Sequence, residues 1–597
     1  MSSDAPNGEP FADEPATIPT EAAEPLSSAV PVARAGRGRL LAWLGGGAVA
    51  AAAIGIGIVV LVSSRSAGLD VAAGYVPADA VFYMEAQLDL PSGQRETLRG
   101  ILERFPAATP DDLLGPALAD TLDEALASSD AGFTYSGDIA PWFTGRVALS
   151  VNALPDDLST GSFSIPAMTF LLGTRDEAAA KEAVDKIRAS IEESGGVTFS
   201  SADRDGTTLW TVESPAGAMG PEATTLEIAV SGDQVILGVN GGGGTALDVH
   251  AGKGDALSHN SDLAELIGRL PTTRVATMTV NSRAILEMNA LPSPLPSALA
   301  AAIASTPESG VLSLSFEEDA VRMDIVSGPL PDDATDTKLA TDLAAEIPAD
   351  ALLFAEAPGV GEAIGRTVET LKATAAADPA TSIVLDQLAE IESALGVKLE
   401  DYFDWAGGMA IAVGRDGDDA WGGLLVEVND AAGAGQRLGQ LDAFVALAAN
   451  DPASGITVTH PSVAGFTFTS ARIAVPADTG LPLTDIVFEY GLADDRLLIG
   501  IGDSFIGRAL DLAAADSLAS SAAYGRALDA LGSDPAYGVT FVDLAASRAW
   551  VESIMPADVK VGYDREIGPN LEPLDYLAMG SRRDGRFVIS TMLLTLN

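Results

Sequence analysis

Three histidines, His250, His259 and His460, are all the imidazole this 597-residue chain offers, and it has no cysteine. A zinc site draws three or four N, S or O ligands, oriented by further hydrogen bonds. His250 and His259 flank one loop, and the matching stretch later in the chain, "AADSLASS", has neither. They read as surface or loop histidines. Without cysteine there is no thiol nucleophile, disulfide or thiolate metal ligand. Ser504 lies in "GDSFIG", which is not the GxSxG of a nucleophile elbow, and histidines this few supply no Ser-His-Asp partner set. Gly241 to Gly244 follow an apolar strand and precede a helix, where a phosphate-binding turn would sit. No Gly-Lys-Ser/Thr follows, and no GxGxxG stands within a parallel βαβ unit; the run reads as a flexible turn. Asp416, Asp418 and Glu427 fall at positions 1, 3 and 12 of a calcium loop, but position 6, normally Gly, is Trp421, and the flanks are strands. An acid-rich hairpin turn is the expectation. No catalytic residue, cofactor contact or metal ligand is assigned, and no cofactor is expected.

Charge narrows the partners. The chain carries 84 acidic and 34 basic residues, a net charge of −50. Such a surface repels phosphate backbones, so nucleic acid is excluded as a partner. A hydrophobic content of 47% is ample for folded domains.

Leu40 to Val62 are 23 successive residues without a charge. As a helix they extend roughly 34 Å, enough to cross a bilayer core of about 30 Å. The stretch exceeds the apolar segment of a cleaved signal peptide, so an uncleaved anchor is expected. Arg34, Arg37 and Arg39 precede it, and only Arg65 follows closely. The arginine side stays cytoplasmic, which puts the N-terminus inside and the bulk of the chain outside. Gly47, Ala51 and Gly55 form a small-xxx-small stripe that permits a homodimer. Residues 1–39 hold six prolines and little to bury, and are expected to be a disordered cytoplasmic tail.

Two later stretches repeat one plan. "VPADAVFYMEA" from Val76 returns as "IPADALLFAEA" from Ile347, and "GDQVILGV" ending at Val239 returns as "DDRLLIGI" ending at Ile501. Matched landmarks (Pro77 and Pro348, Gly145 and Gly407, Asp233 and Asp495, Val280 and Val542, Asp319 and Asp584) lie 262 to 271 residues apart. A tandem duplication is the expectation, with one copy over 74–327, a linker "GPLPDDATDTK" from Gly328, and the second copy over 339–597. In each copy, strands joined by hairpins alternate with helices. Asp205-Gly206 marks one hairpin turn, and Asp176 and Asp430 stand as helix N-caps. The expected fold is α+β, with largely antiparallel sheets and helices packed on them. Trp142 and Trp405, each just before a Gly-containing apolar strand, are expected to be largely buried.

"YVPADAVFYMEAQLDLPSGQRETLRGILERFP", "DIAPWFTGRVALSV" and "LLGTRDEAAAKEAVDKI" resemble a bacterial membrane-anchored family catalogued as domain of unknown function 3352. The resemblance covers most of the chain from Tyr75 onward. It implies an envelope protein with an anchor and an exported body, and carries no activity and no catalytic residues. The expected function is therefore non-catalytic: an ectodomain that binds a protein or an apolar ligand at the cytoplasmic membrane. The alternatives are a single-pass sensor or regulator signalling through the tail, and an envelope hydrolase.

Overall fold

The computed structural model describes residues 71–87, 92–108, 110, 116–127, 133–153, 165–195, 197–214, 224–281, 309–329, 343–377, 382–417, 419–451, 454–475, 485–502, 504–532 and 537–597. The expected tail and the anchor at Leu40 to Val62 lie outside the described residues. Among those described, no helix is long and apolar enough to cross a membrane.

Ten strands form the first half: β1 (Phe82–Gln87), β2 (Phe143–Ala153), β3 (Ala167–Thr174), β4 (Ser200–Arg204), β5 (Thr207–Ser214), β6 (Thr224–Ser231), β7 (Gln234–Val239), β8 (Ala276–Asn281), β9 (Ser309–Glu317) and β10 (Ala320–Gly328). In the second half, besides a separate two-stranded hairpin (Ser462–Val463 with Phe466–Thr467), ten strands join the large sheet: β11 (Ala351–Ala357), β12 (Ala406–Asp416), β13 (Asp419–Val428), β14 (Ile456–Thr459), β15 (Thr469–Ala474), β16 (Asp485–Ala493), β17 (Arg496–Ile501), β18 (Val539–Asp543), β19 (Leu574–Asp584) and β20 (Phe587–Leu596). Local chemistry sets the hairpins. Asp205 and Gly206 take φ of 53° and 85°, the left-handed pair that a two-residue turn needs.

Every named pairing is antiparallel. The first half runs β4-β5-β6-β7-β3-β2-β1-β8-β9-β10. The second runs β14-β15-β16-β17-β13-β12-β11-β18-β19-β20, the same order. β10 pairs with β20, from Ala320↔Thr595 to Ser327↔Val588, so the halves share one twenty-stranded sheet.

Small contacts recur between the halves. Pro77 bridges Ala256 and Pro348 bridges Ser517. The amides of Leu257 and Leu518 donate to Val76 and Ile347 at 2.8 and 2.7 Å. The amides of Arg175 and Asn429 donate to the carbonyls of Trp142 and Trp405, both at 2.8 Å. The amides of Thr174 and Val428 donate to those of Asp233 and Asp495 at 2.8 and 2.9 Å.

The sheet has a deeply buried face, here the inner one. In the first half it is covered by α3 (Gly242–His250) and α4 (Ser261–Ile267), in a core with Tyr83, Leu171, Ile236 and Val326. In the second half it is covered by α8 (Phe505–Leu510) and α9 (Ala522–Leu531), with Phe354, Trp421, Phe541 and Leu593. Part of the opposite face is covered by α1 (Ser92–Leu102), α2 (Glu177–Gly195) and α7 (Ala431–Ala449), while α5 (Val360–Ala377) packs on β12 and on α6 (Ser382–Leu395). Asp176 caps α2 by accepting from Ala178 and Ala179, both at 3.0 Å, and Asp430 caps α7 by accepting from Ala432 at 3.0 Å. Trp142 is 3% exposed, as expected. Trp405 is only half-buried, since its cover is the glycine-bearing first turn of α7, where Gly433 presents no side chain.

Candidate functional site: a methionine-lined sheet face

An antiparallel sheet with one face on the core ordinarily turns polar side chains outward on the other. This sheet does not. Because directly paired residues point to the same side, the register lays out rows across the outer face. One row reads Leu172–Val147–Ala86–Ala276–Leu314–Met323–Met592–Met579–Thr540–Ala355–Ile411–Leu424–Ile499. A second reads Phe316–Val321–Leu594–Leu577–Val542–Leu353–Val413–Gly422–Ile501–Phe488. A third carries Met84, Met278, Leu312 and Ile325. Thr540 is the one polar side chain in the second half of these rows as far as Ile499, beyond which the first row continues into Tyr490 and Thr469.

Ala86, Ala276 and Phe316 of these rows are buried, and others are only partly covered. Ile501 is 57% exposed, Ile411 43%, Met579 42%, Val413 40% and Ile325 36%. Of the chain's eleven methionines, seven point to this face: Met84, Met168, Met278, Met323, Met409, Met579 and Met592. The thioether is unbranched and polarizable and adapts to irregular apolar shapes. An apolar surface that stays partly open is where a hydrophobic ligand or partner gains by leaving water. Gly422, between Val413 and Ile501, adds a shallow notch to the second row.

Polar chemistry stands at the rim. The Tyr490 hydroxyl and the Thr469 hydroxyl donate to Asp442 Oδ1 of α7 at 2.9 and 2.8 Å, tying that helix to β15 and β16. Burial, then the Asp442 carboxylate, push the Tyr490 hydroxyl above the usual phenol range. Beside the face, α10 (Leu544–Ile554) packs on β19 and β11, and α11 (Ala557–Glu566) follows it. Val551, Ile554, Val559 and Val561 on these helices are exposed, as are Phe444 and Leu447 on α7.

The residues singled out from sequence are scattered. His250, His259 and His460 are exposed, and the His250 ring stacks on Tyr75 at 4.0 Å. Asp416 closes the β12–β13 hairpin opposite Asp419, and Glu427 lies at the far end of β13, so the two cannot share one ion. Asp418 lies outside the described residues. Among the described residues, no group of three His, Cys, Asp or Glu could hold a metal. Ser504 stands at the start of α8.

The glycine run corrects the expectation of a flexible turn. Gly242, Gly243 and Gly244 are buried in the first turn of α3. A Cβ on Gly242 would lie 1.9 Å from the Met168 carbonyl oxygen, and one on Gly238 2.1 Å from the Gly243 nitrogen. The helix start is thus pressed onto β3 and β7. The Glu227 carboxylate accepts from the Gly243 and Gly244 amides at 2.7 and 3.2 Å, filling the place an anion would take.

The outer face was missed from sequence. Its signal was present as alternate apolar residues in "AVRMDIV", "AMGS" and "AIAV", but their facing the same side depends on register across distant strands.

No curated protein matches the chain. Solved structures that match include crystal forms III and I of TP0453. Form III is 12% identical with a TM-score of 0.22, covering 44% of this chain and 80% of that one. Form I is 11% identical with a TM-score of 0.21, covering 45% and 82%. A family model described as "Protein of unknown function (DUF3352)" matches residues 43–585.

Proposed function

The chain belongs to the family described as protein of unknown function (DUF3352), and we propose that it is a non-catalytic, membrane-anchored envelope protein that binds an apolar ligand on the methionine-lined sheet face. The observation that carries the reading is the pair of apolar rows left partly open across the outer face, with Ile501 at 57% exposure. Its chemistry is contact and desolvation, and it needs no reacting group.

The anchor is Leu40 to Val62 in the cytoplasmic membrane, with the arginine side inside. Only residues 63–70 separate it from the first described residue, Val71. That length reaches at most roughly 28 Å, so the folded part works close to the bilayer. The two halves are read as a duplicated unit. Common strand order, the paired proline bridges and the paired tryptophan carbonyl contacts support this.

The test titrates N-phenyl-1-naphthylamine into the full chain in detergent, with methionine methyls ¹³C-labelled. In wild type the Met323, Met579 and Met592 methyl signals should shift saturably, and Ile411→Lys with Ile501→Lys should reduce affinity at least tenfold while circular dichroism is unchanged. Equal binding by the double variant, or none by wild type, would overturn the reading.

A further inference from the structure

The halves differ at one internal place, and the difference is a hole. In the first half the 3₁₀ turn Val71–Tyr75 ends in Tyr75, which is 1% exposed. Its hydroxyl donates to the Ser231 carbonyl at the β6–β7 turn, at 2.8 Å. Its ring stacks on His250 at the end of α3, at 4.0 Å and 6°. Leu171 and Ile236, paired across β3 and β7, belong to the same buried cluster.

In the second half the 3₁₀ turn Leu343–Glu346 ends in Glu346. Tyr75 and Glu346 each stand two residues before the proline that makes the bridge. Leu425 and Leu498, paired across β13 and β17, stand where Leu171 and Ile236 do. α8 is only six residues long, ending at Leu510, and brings no ring to match His250. Glu346 turns its carboxylate to Arg496, whose Nη2 and Nε donate to Oε1 at 2.9 and 3.0 Å. Arg496 replaces Gln234, whose Oε1 is buried without a partner. What remains is a cavity of about 190 Å³ lined by Glu346, Leu425, Ala493, Arg496, Leu498 and Leu510. Its edge reaches solvent at Asp495, whose side chain is 72% exposed.

We propose that this cavity is a binding site for a phenol ring, held as the first half holds Tyr75. The size suffices for one ring, since about 150 Å³ holds benzene, and the wall is mixed, with Glu346, Asp494, Asp495 and Arg496 beside Leu425, Leu498 and Leu510. Leu425 and Leu498 line the cavity and are the counterparts of Leu171 and Ile236, which share the buried cluster of Tyr75. The Ala493 carbonyl, at the β16–β17 turn, offers the acceptor that Ser231 offers. The ring comes from a free phenolic compound or from a tyrosine side chain of a peptide. The site is separate from the outer face and does not depend on the apolar-ligand reading.

The test is a titration of the full chain in detergent, with leucine methyls ¹³C-labelled, using p-cresol and the tripeptide Gly-Tyr-Gly. Either probe should shift the Leu425, Leu498 and Leu510 methyl signals saturably. Response to p-cresol alone assigns the free compound, and response to the peptide assigns the tyrosine. Glu346→Tyr, which restores the residue of the first half, should weaken binding at least tenfold. It leaves Arg496 its contacts to Asp495 at 3.0 Å and Glu427 at 3.7 Å. Ala509→Phe, filling the cavity from α8, should do the same. Absence of any shift with both probes, or unchanged affinity in both variants, would overturn the proposal.

Discussion

Asp324 and Thr591 face each other where the two halves of the sheet meet, and Thr591 Oγ1 donates to Asp324 Oδ1 at 2.6 Å. Arg322 holds the same carboxylate through Nε and Nη2 at 2.9 and 3.0 Å. Asp324 is 1% exposed and Thr591 3%. Removing one member of a buried pair leaves its partner's charge uncompensated. Asp324→Ala should therefore lose about 3 kcal/mol in urea unfolding, and Thr591→Val about 2 kcal/mol. Additive losses in the double variant would show that the two side chains are uncoupled.

The start of α3 makes a sharp contrast among neighbouring glycines. Gly242→Ala puts a Cβ 1.9 Å from the Met168 carbonyl oxygen, where the backbone must move. It should cost more than about 2 kcal/mol. Gly244→Ala meets nothing nearer than 3.5 Å and gains helix propensity, so it should be neutral or stabilising by up to about 1 kcal/mol. Thermal unfolding of the two variants tests the ranking.

Burial raises the Tyr75 hydroxyl from 10.0 to about 12, with the hydrogen bond to Ser231 opposing. The folded state thus favours the neutral phenol. This stabilisation is full below pH 10 and is lost as pH rises toward 12. Between those limits wild type should lose roughly 2 kcal/mol more than Tyr75→Phe. Parallel stability curves for the two proteins would refute the assignment.

Orientation is checked with cysteines, for which the chain gives no background. Ser3→Cys should resist an impermeant maleimide in intact cells, and Ala446→Cys, exposed on α7, should react. The reverse pattern would invert the topology.

Local features were readable from the sequence because their causes are local. The Asp205-Gly206 turn needs two left-handed residues, and Asp176 and Asp430 cap helices two or three residues away. The rest depends on distant partners. Asp324 meets Thr591 from 267 residues away, and no nearby residue announces it. The glycine run looked loose because Glu227 and Gly238, which fix it, lie on other elements. The outer face looked ordinary strand by strand, and only the register joins Met323, Met592 and Met579 into one row.

The β10–β20 ladder has a consequence for assembly. A sheet of ten strands standing alone would end in β10, with a full rank of unpaired amides and carbonyls. Such an edge recruits another strand. β10 and β20 hold the same place in their halves and pair antiparallel, as two copies of one edge would about a twofold axis. In this chain the second half supplies the partner strand, so the contact that would join two separate copies is intramolecular. The free ends are now β4, with all five residues exposed and Asp203 and Arg204 on it, and the four-residue β14. Both are short, which discourages further strand addition.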